Sequence, residues 1–503
     1  MPIPLFNSIA SWFLKKRIHQ MDLFMKYPHE VQQELLYSLL QQAAETEVGK
    51  KYEFSSIKNY EDFCERLPVV QYEDISNDIE RSRQGEQNIF WPSPIKWFAK
   101  SSGTTNAKSK FIPVSTEALE DCHYKAGKDM LSLYFNNNED SQLLSGRCLR
   151  LGGSSELYHN NTSYFGDLSA IIIDNLPFWA ELSSTPSQRV SLMPEWETKM
   201  EAIIKESLYH KVTSLAGVPS WMMVLLQRVL AQEKKASVLE IWPQAEVYFH
   251  GGVSFAPYRE QFQKIFPTSE FKFYETYNAS EGFFAIQDRN YARDLLLMLD
   301  YGIFYEFIPQ QNGTYTGTPL PLHQVEKGVN YAVVITTNAG LWRYQLGDTV
   351  RFTDLNPYRI QISGRVKHHI NVFGEELVIE NAEQAISAAA RAFSVAIVDF
   401  TAGPIFMDGN KKGGHEWLIE FKKAPEDLAA FTAFFDAELQ KRNSDYEAKR
   451  YKNMTLLPPK VHAVQPGLFY RWLASKNKLG GQHKVPRLSN TRTFVEHLLE
   501  MNV

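Results

Sequence analysis

Behind Pro28, apolar residues recur at three- and four-residue intervals, at Val31, Leu35, Leu36, Leu39 and Leu40. That spacing predicts an amphipathic helix with proline at the first turn, where its missing N–H costs nothing. The opening stretch MPIPLFNSIASWFLKKRIHQ predicts another amphipathic helix, either packed on the protein or lying on a membrane surface. Farther along the period changes. EVYFHGG around Val247 and FKFYETY around Phe273 are short apolar runs of the kind that form buried strands, whereas WETKMEAIIKESLY, from Trp196 to Tyr209, has helical spacing. Strands that alternate with helices predict α/β layers.

Near residue 294 the alternation stops. LLLMLDYGIFYEFI places a turn at Asp300, Tyr301 and Gly302 between two strand-like runs, and YAVVITT, TVRFT and YRIQIS follow without helices between them. Consecutive strands of this kind predict an antiparallel, barrel-like part joined to the α/β layers. From about residue 365 a helix at NAEQAISAAARAF, strands on either side of DGNKKGG and a helix at PEDLAAFTAFFDAELQKR predict a smaller α+β unit. The expected organisation is therefore a large domain over 1–364 and a smaller, mobile C-terminal domain over 365–503. No internal repeat interrupts it.

Composition narrows the context. At 503 residues the chain exceeds the size at which one core stops growing, which requires at least two domains. A hydrophobic share of 44% and an aromatic share of 13% exclude extensive disorder. A net charge of -5 gives no basic footprint for nucleic acid. Cys64, Cys122 and Cys148 are odd in number and too widely spaced for a disulfide framework or a CxxC metal site. The N-terminal charges follow the apolar run rather than precede it, unlike a signal peptide, and no run approaches the roughly 18 apolar residues of a spanning helix. The expectation is a soluble, cytoplasmic protein with no integral membrane segment.

Polar groups punctuate the ends of the apparent strands. SSGTTNAKSKFIP, residues 101–113, sets Ser101, Ser102, Gly103, Thr104, Thr105, Lys108 and Lys110 in one stretch. Hydroxyls, open backbone N–H groups and ammonium ions suit a polyphosphate, and they also suit a polar surface turn. Gly251 and Gly252 follow VYFH, as a site of close backbone approach or as a tight turn. TYNASEG places Tyr277 four residues before Glu281, an aromatic face and a carboxylate that could serve a base and Mg²⁺ or could be a core residue and a loop acid. GLWRYQLGDTVRF carries Asp348 after Gly347, an acceptor for ribose hydroxyls or a common turn pair. Arg365 sits at the predicted domain junction, and KLGGQHKVPRL offers Lys484 on a loop able to enter a cleft or to remain at the surface. A P-loop would need GxxxxGK[ST], and GTTNAKSK lacks the second glycine.

The order of these motifs over residues 101–487 resembles the acyl-adenylating superfamily of acyl-CoA ligases, luciferases and peptide-synthetase adenylation domains. Within it, SSGTTNAKSKFIP, YNASEGFF, TTNAGLWRYQLGD and QHKVPR resemble the Gretchen Hagen family of auxin-responsive acyl acid amido synthetases and its bacterial relatives. In CoA ligases the closing loop carries Pro-Arg before Gly-Lys, whereas here Lys484 precedes Pro486 and Arg487. The resemblance implies adenylation of a carboxylic acid with ATP and Mg²⁺, then transfer of the acyl group to an amine such as an amino acid. A CoA ligase and a non-catalytic nucleotide-binding relative are the alternatives.

By the same resemblance Ser101, Ser102, Gly103, Thr104 and Thr105 would cradle phosphates with Lys108 or Lys110 as the charge. Gly251, Gly252, Tyr277 and Ser280 would bind the nucleotide, with the Tyr277 ring against adenine. Glu281 would hold Mg²⁺, Asp348 the ribose, and Arg365 and Lys484 would come from the small domain. Val218, Trp221 and Phe249, in apolar runs beside the motifs, are candidates for the acyl pocket. Two departures stand out: Ala107 replaces a frequent glycine of the phosphate loop, and Gly374, Glu375 and Glu376 occupy the place of an Asp-Lys-Thr-Asp run in plant members.

Overall fold

Four apolar strands, Arg147–Leu151, Val212–Gly217, Val247–Gly251 and Lys272–Ala279, pair in parallel in that spatial order, with Ser184–Thr185 outside the first. The computed structural model to which they belong describes residues 17–101, 110–151, 157–175, 181, 183–193, 196–253, 255, 258–311, 314–315, 317–366, 369–407, 412–453, 455–475 and 485–502. Val212 to Leu215 and Val247 to His250 are buried continuously, because helices cover both faces of a parallel sheet. Two of those helices, Trp196–Leu208 and Pro219–Glu233, occupy the connections on either side of Val212–Gly217. The α/β layering read from the pattern is present.

The sheet then changes sense without ending. Lys272–Ala279 folds back antiparallel onto Gly282–Ile286 through a two-residue tip, Ser280 and Glu281. A Cβ at Gly282 would stand 2.6 Å from the tip of the Ile303 side chain, so the two pack closely. Beyond it come Leu295–Leu297, Tyr358–Arg365, Tyr344–Leu355, Asn330–Thr337 and Ile303–Gln311, each antiparallel to its neighbour. Among the described residues the parallel and antiparallel parts form one continuous sheet of 13 strands.

A smaller sheet sits over the cleft end of the large one. Trp97–Ser101 pairs antiparallel with Lys110–Val114 and parallel with Tyr164–Gly166. Residues 17–26 are helical, and the packed alternative for the N-terminal helix holds over them: Met21 and Phe24 are buried, and Arg17 bonds Asp129 and Asp300. No helix among the described residues is long and apolar enough to cross a membrane.

The C-terminal part contains Ile379–Ala392, the antiparallel pair Ile397–Ile405 and Gly414–Phe421, the helix Leu428–Arg442 and the strand Lys460–Val464 parallel to the second of that pair. It meets the large part through an apolar cluster and through the Tyr258 hydroxyl, which donates to the Val372 carbonyl at 2.7 Å.

Candidate active site

In an open α/β sheet, ligands enter beyond the carboxyl ends of the parallel strands. Here that crevice is a cleft of about 570 Å³, and five separated chain segments bring Ser101, Lys110, Gly252, Tyr277, Ser280, Glu281, Asp348 and Arg365 to its wall. Ser101 and Lys110 are direct partners across two strands of the small sheet, and both line the cleft. Ser102, Gly103, Thr104, Thr105, Lys108 and Lys484 lie outside the described residues.

Lys110 projects its ammonium 5.4 Å above the Tyr72 ring. Burial lowers its pKa, and the Glu281 carboxylate is the strongest of the charges that oppose the shift. Glu281, at the tip of the two-residue hairpin, shows the converse: burial pushes its carboxyl up to about 7 against the pull of Lys110. Burial causes this rise, Lys110 and Arg365 both oppose it, and a divalent cation beside the carboxyl would act in the same direction as they do. No group of three His, Cys, Asp or Glu able to hold a metal occurs among the described residues. Glu281 would therefore share a cation with phosphate oxygens and water, the mode Mg²⁺ favours.

Asp348 follows Gly347, whose φ of 91° suits glycine, on the strand Tyr344–Leu355. Its carboxylate accepts from the Tyr277 hydroxyl at 2.9 Å and from Arg365 Nε at 2.8 Å. An ionised carboxylate has about four lone-pair sites, so room remains for ribose hydroxyls. Asp348→Ala is expected to weaken ATP binding by about 1.5 to 3 kcal/mol, the range for hydrogen bonds to a charged group, with the fold retained. Calorimetric titration of the folded variant checks this, and unchanged affinity would remove Asp348 from the site.

Several expected roles change with the geometry. Tyr277 is 4% exposed, its ring packs 4.8 Å from Phe284, and its hydroxyl is committed to Asp348. Its hydroxyl holds the carboxylate in place, and the residue lines the cleft. A Cβ on Gly251 would stand 2.5 Å from Thr276 Oγ1, so this glycine serves strand packing, while Gly252, with φ 83°, lines the cleft.

The acyl candidates do not gather at the cleft. Phe249 is buried between Tyr134 and Tyr274, each 5.9 Å away, and Trp221 is buried beneath the Lys449 ammonium at 4.5 Å. Neither lines the cleft. Val218 comes nearest, with its Cγ2 3.4 Å from where a Gly252 Cβ would be. Phe249 and Trp221 are core residues, and Val218 is half-buried against the core.

The cleft also holds carboxylates to which the sequence assigned no role, among them Glu73, Glu275 and Glu376. Glu275 was hidden inside FKFYETY, where the charge within an apolar run was the available signal; burial raises its pKa. Glu376 meets Arg365 Nη2 at 3.4 Å and has a left-handed φ of 39°. Its neighbour Glu375 turns inward to His415 at 2.8 Å. The departure noted at 374–376 thus puts a carboxylate into the cleft.

The GH3 family N-terminal domain model matches residues 17–271, the central domain model 296–365 and the C-terminal domain model 380–493. An Arabidopsis thaliana indole-3-acetic acid-amido synthetase, GH3.4, is 22% identical over 94% of this chain and 91% of its own length. The jasmonoyl–L-amino acid synthetase JAR4 of Nicotiana attenuata is 22% identical over 97% of this chain and 96% of its own. The solved GH3.15 acyl acid amido synthetase superposes with a TM-score of 0.60 at 18% identity, covering 94% of this chain and 93% of that one.

Proposed function

The chain belongs to the GH3 family, and from that premise we propose that it is an ATP-dependent acyl acid amido synthetase, which adenylates a carboxylic acid and passes the acyl group to an amine such as an amino acid. One observation carries the reading: Lys110, Glu281, Asp348 and Arg365, far apart in sequence, converge on one cleft at the ends of the parallel strands.

The chemistry needs what these groups offer. A carboxylate resists attack because its leaving group would be oxide, and joining it to AMP converts that oxide into a good leaving group. A carboxylate oxygen attacks the α-phosphorus of ATP, the bond to the β-phosphate oxygen breaks, and pyrophosphate leaves. The amine nitrogen then attacks the acyl carbon, AMP departs, and the nitrogen loses a proton. Two anions must approach in the first step, so cations and fixed donors at the α-phosphate lower its barrier.

Lys110 would screen that approach, with Ser101 at the mouth of the phosphate loop. Asp348, braced by Tyr277 and Arg365, would orient the ribose. Glu281 would hold Mg²⁺, which when bound neutralises phosphate charge. The amides made by the relatives, joining indole-3-acetic or jasmonic acid to amines, accord with an amine as acceptor. Incubation with ATP, Mg²⁺ and a panel of carboxylic acids tests the first step: AMP and pyrophosphate should appear only when a suitable acid is present.

The boundary between the large and small domains is assigned to Gly364 and Arg365. Gly364 has a φ of 145°, and Arg365 bridges Asp348 of the large part to Glu376 of the small one. Arg365 ends the large sheet's strand Tyr358–Arg365 in register with Asp348, so rotation of the residues beyond it would exchange its Glu376 partner and leave Asp348 in place. Solution scattering should differ with and without an unreactive acyl-adenylate analogue, and identical curves would reject the hinge.

A further inference from the structure

The small part reaches the cleft on a tight turn. Asn371 and Glu376 line the wall there, and between them Gly374 takes a φ of 83° and Glu376 itself a left-handed φ of 39°. Such a backbone is costly for a residue with a Cβ and persists only where its surroundings fix it. Glu375, fully buried, accepts from the Phe373 N–H at 2.6 Å and the Val372 N–H at 3.4 Å, and meets His415 Nε2 at 2.8 Å. The Glu376 N–H donates to Asn371 Oδ1 at 3.3 Å, and the Glu376 carbonyl accepts from Asn443 Nδ2 at 3.1 Å. Both backbone groups of Glu376 are held, and its carboxylate meets Arg365 Nη2 at 3.4 Å.

That contact is loose. A charge-assisted bond between guanidinium and carboxylate spans about 2.7 to 2.9 Å, and Arg365 makes one of that length with its Nε, to Asp348 at 2.8 Å. Arg365 is thus committed to Asp348, and Glu376 can take another cation. Among the described residues five carboxylates line the cleft, Glu73, Glu275, Glu281, Asp348 and Glu376. Glu281 and Asp348 would serve metal and ribose, burial favours the protonated form of Glu275, and Glu73 is exposed in the first turn of the helix Tyr72–Arg83. Glu376 remains, and it is the one of the five that the small part carries. The second half-reaction brings a further cation into the cleft, since at neutral pH the amine of an amino acid is an ammonium.

We propose that Glu376 binds the ammonium group of the acceptor, and so makes the enzyme favour charged amines over neutral nucleophiles. Glu375, paired with His415, holds the turn that presents it. The proposal rests on the amido synthetase reading, which supplies an acyl-adenylate for the bound amine to meet.

The test compares two acceptors on the full chain with ATP, Mg²⁺ and a carboxylic acid that the wild type adenylates. One is a mixture of the protein amino acids, the other hydroxylamine, which is largely uncharged at neutral pH, and both are kept below saturation. In Glu376→Gln the ratio of amide to hydroxamate should fall by about 10- to 100-fold, the scale of losing a hydrogen bond to a charged group. Glu376→Asp keeps the charge and suits a left-handed backbone, so it should recover part of the ratio.

A merely structural role would lower both products alike. An unchanged ratio in folded Glu376→Gln therefore overturns the proposal, as does an equal fall in Glu376→Gln and Glu376→Asp. If Glu376→Gln fails to fold, Glu376→Asn, which a left-handed backbone accepts, decides by the same ratio. Wild type that forms hydroxamate but no amide would reject the amine acceptor and the proposal with it. Wild type that forms neither would instead reject adenylation itself, a distinct outcome.

Discussion

Glu281→Gln is expected to slow pyrophosphate release at saturating ATP and Mg²⁺ by about 10²- to 10³-fold, the scale for deleting one preorganised electrostatic group in a closed site. The same variant should be more stable than wild type without metal at pH 8. Burial lifts the Glu281 carboxyl from an ordinary 4.5 to about 7. In the metal-free folded protein it keeps a proton that the unfolded chain has released, so its contribution to stability is full below about pH 4.5 and lost as pH rises through about 7. Glutamine mimics the protonated form at every pH. The stability gained by the variant should therefore be near zero at pH 4.5 and reach about 1 to 3 kcal/mol at pH 8. Single-turnover pyrophosphate release and thermal melts in a chelator measure the two effects. A variant with a wild-type rate would leave Glu281 with no part in adenylation.

Lys484→Ala should slow acyl-adenylate formation by about 10²- to 10³-fold while ATP affinity barely changes and amide formation from a prepared acyl-adenylate survives. The chain just beyond it is strapped to the small domain. Val485 is 2% exposed, the Pro486 carbonyl accepts from the Thr401 hydroxyl at 2.6 Å, and Leu488 bridges Ala402 at the sheet edge. Six residues after Lys484, Asn490 lines the cleft and accepts from Asn371 N–H at 2.7 Å. The role expected of Lys484 is to neutralise charge that develops between carboxylate and α-phosphate. Equal pyrophosphate rates in variant and wild type would reject this role, and loss of both half-reactions would indicate a damaged small domain.

What the sequence made legible was local. Glu281, Asp348 and Arg365 could be read because polar residues break apolar runs where strands end. The strands around Val247, Phe273, Tyr331 and Tyr358 could be read from their period. Pairing was not legible. The runs on either side of the Asp300–Gly302 turn look like partners, yet Leu295–Leu297 joins Gly282–Ile286 and Tyr358–Arg365, while Ile303–Gln311 joins Asn330–Thr337. Register over such separations depends on contacts that no short window contains. For the same reason the Tyr277 hydroxyl could not be assigned to Asp348, 71 residues away, nor Arg343 to Glu306. The acyl candidates were less legible: apolar residues near motifs are most often core, as Phe249 and Trp221 are, while Val218 stands beside Gly252 of the cleft wall.

The most direct measurement of the account is a hydroxamate assay. The protein is incubated with ATP, Mg²⁺, a panel of carboxylic acids and hydroxylamine, which traps any acyl-adenylate as a hydroxamate. Mixed amino acids or CoA then replace hydroxylamine. The account predicts hydroxamate with at least one acid, AMP and pyrophosphate in equal amounts, and an amide when amino acids are supplied. Binding of ATP with no hydroxamate from any acid would contradict adenylation, and a thioester from CoA with no amide would contradict the assignment of the acceptor.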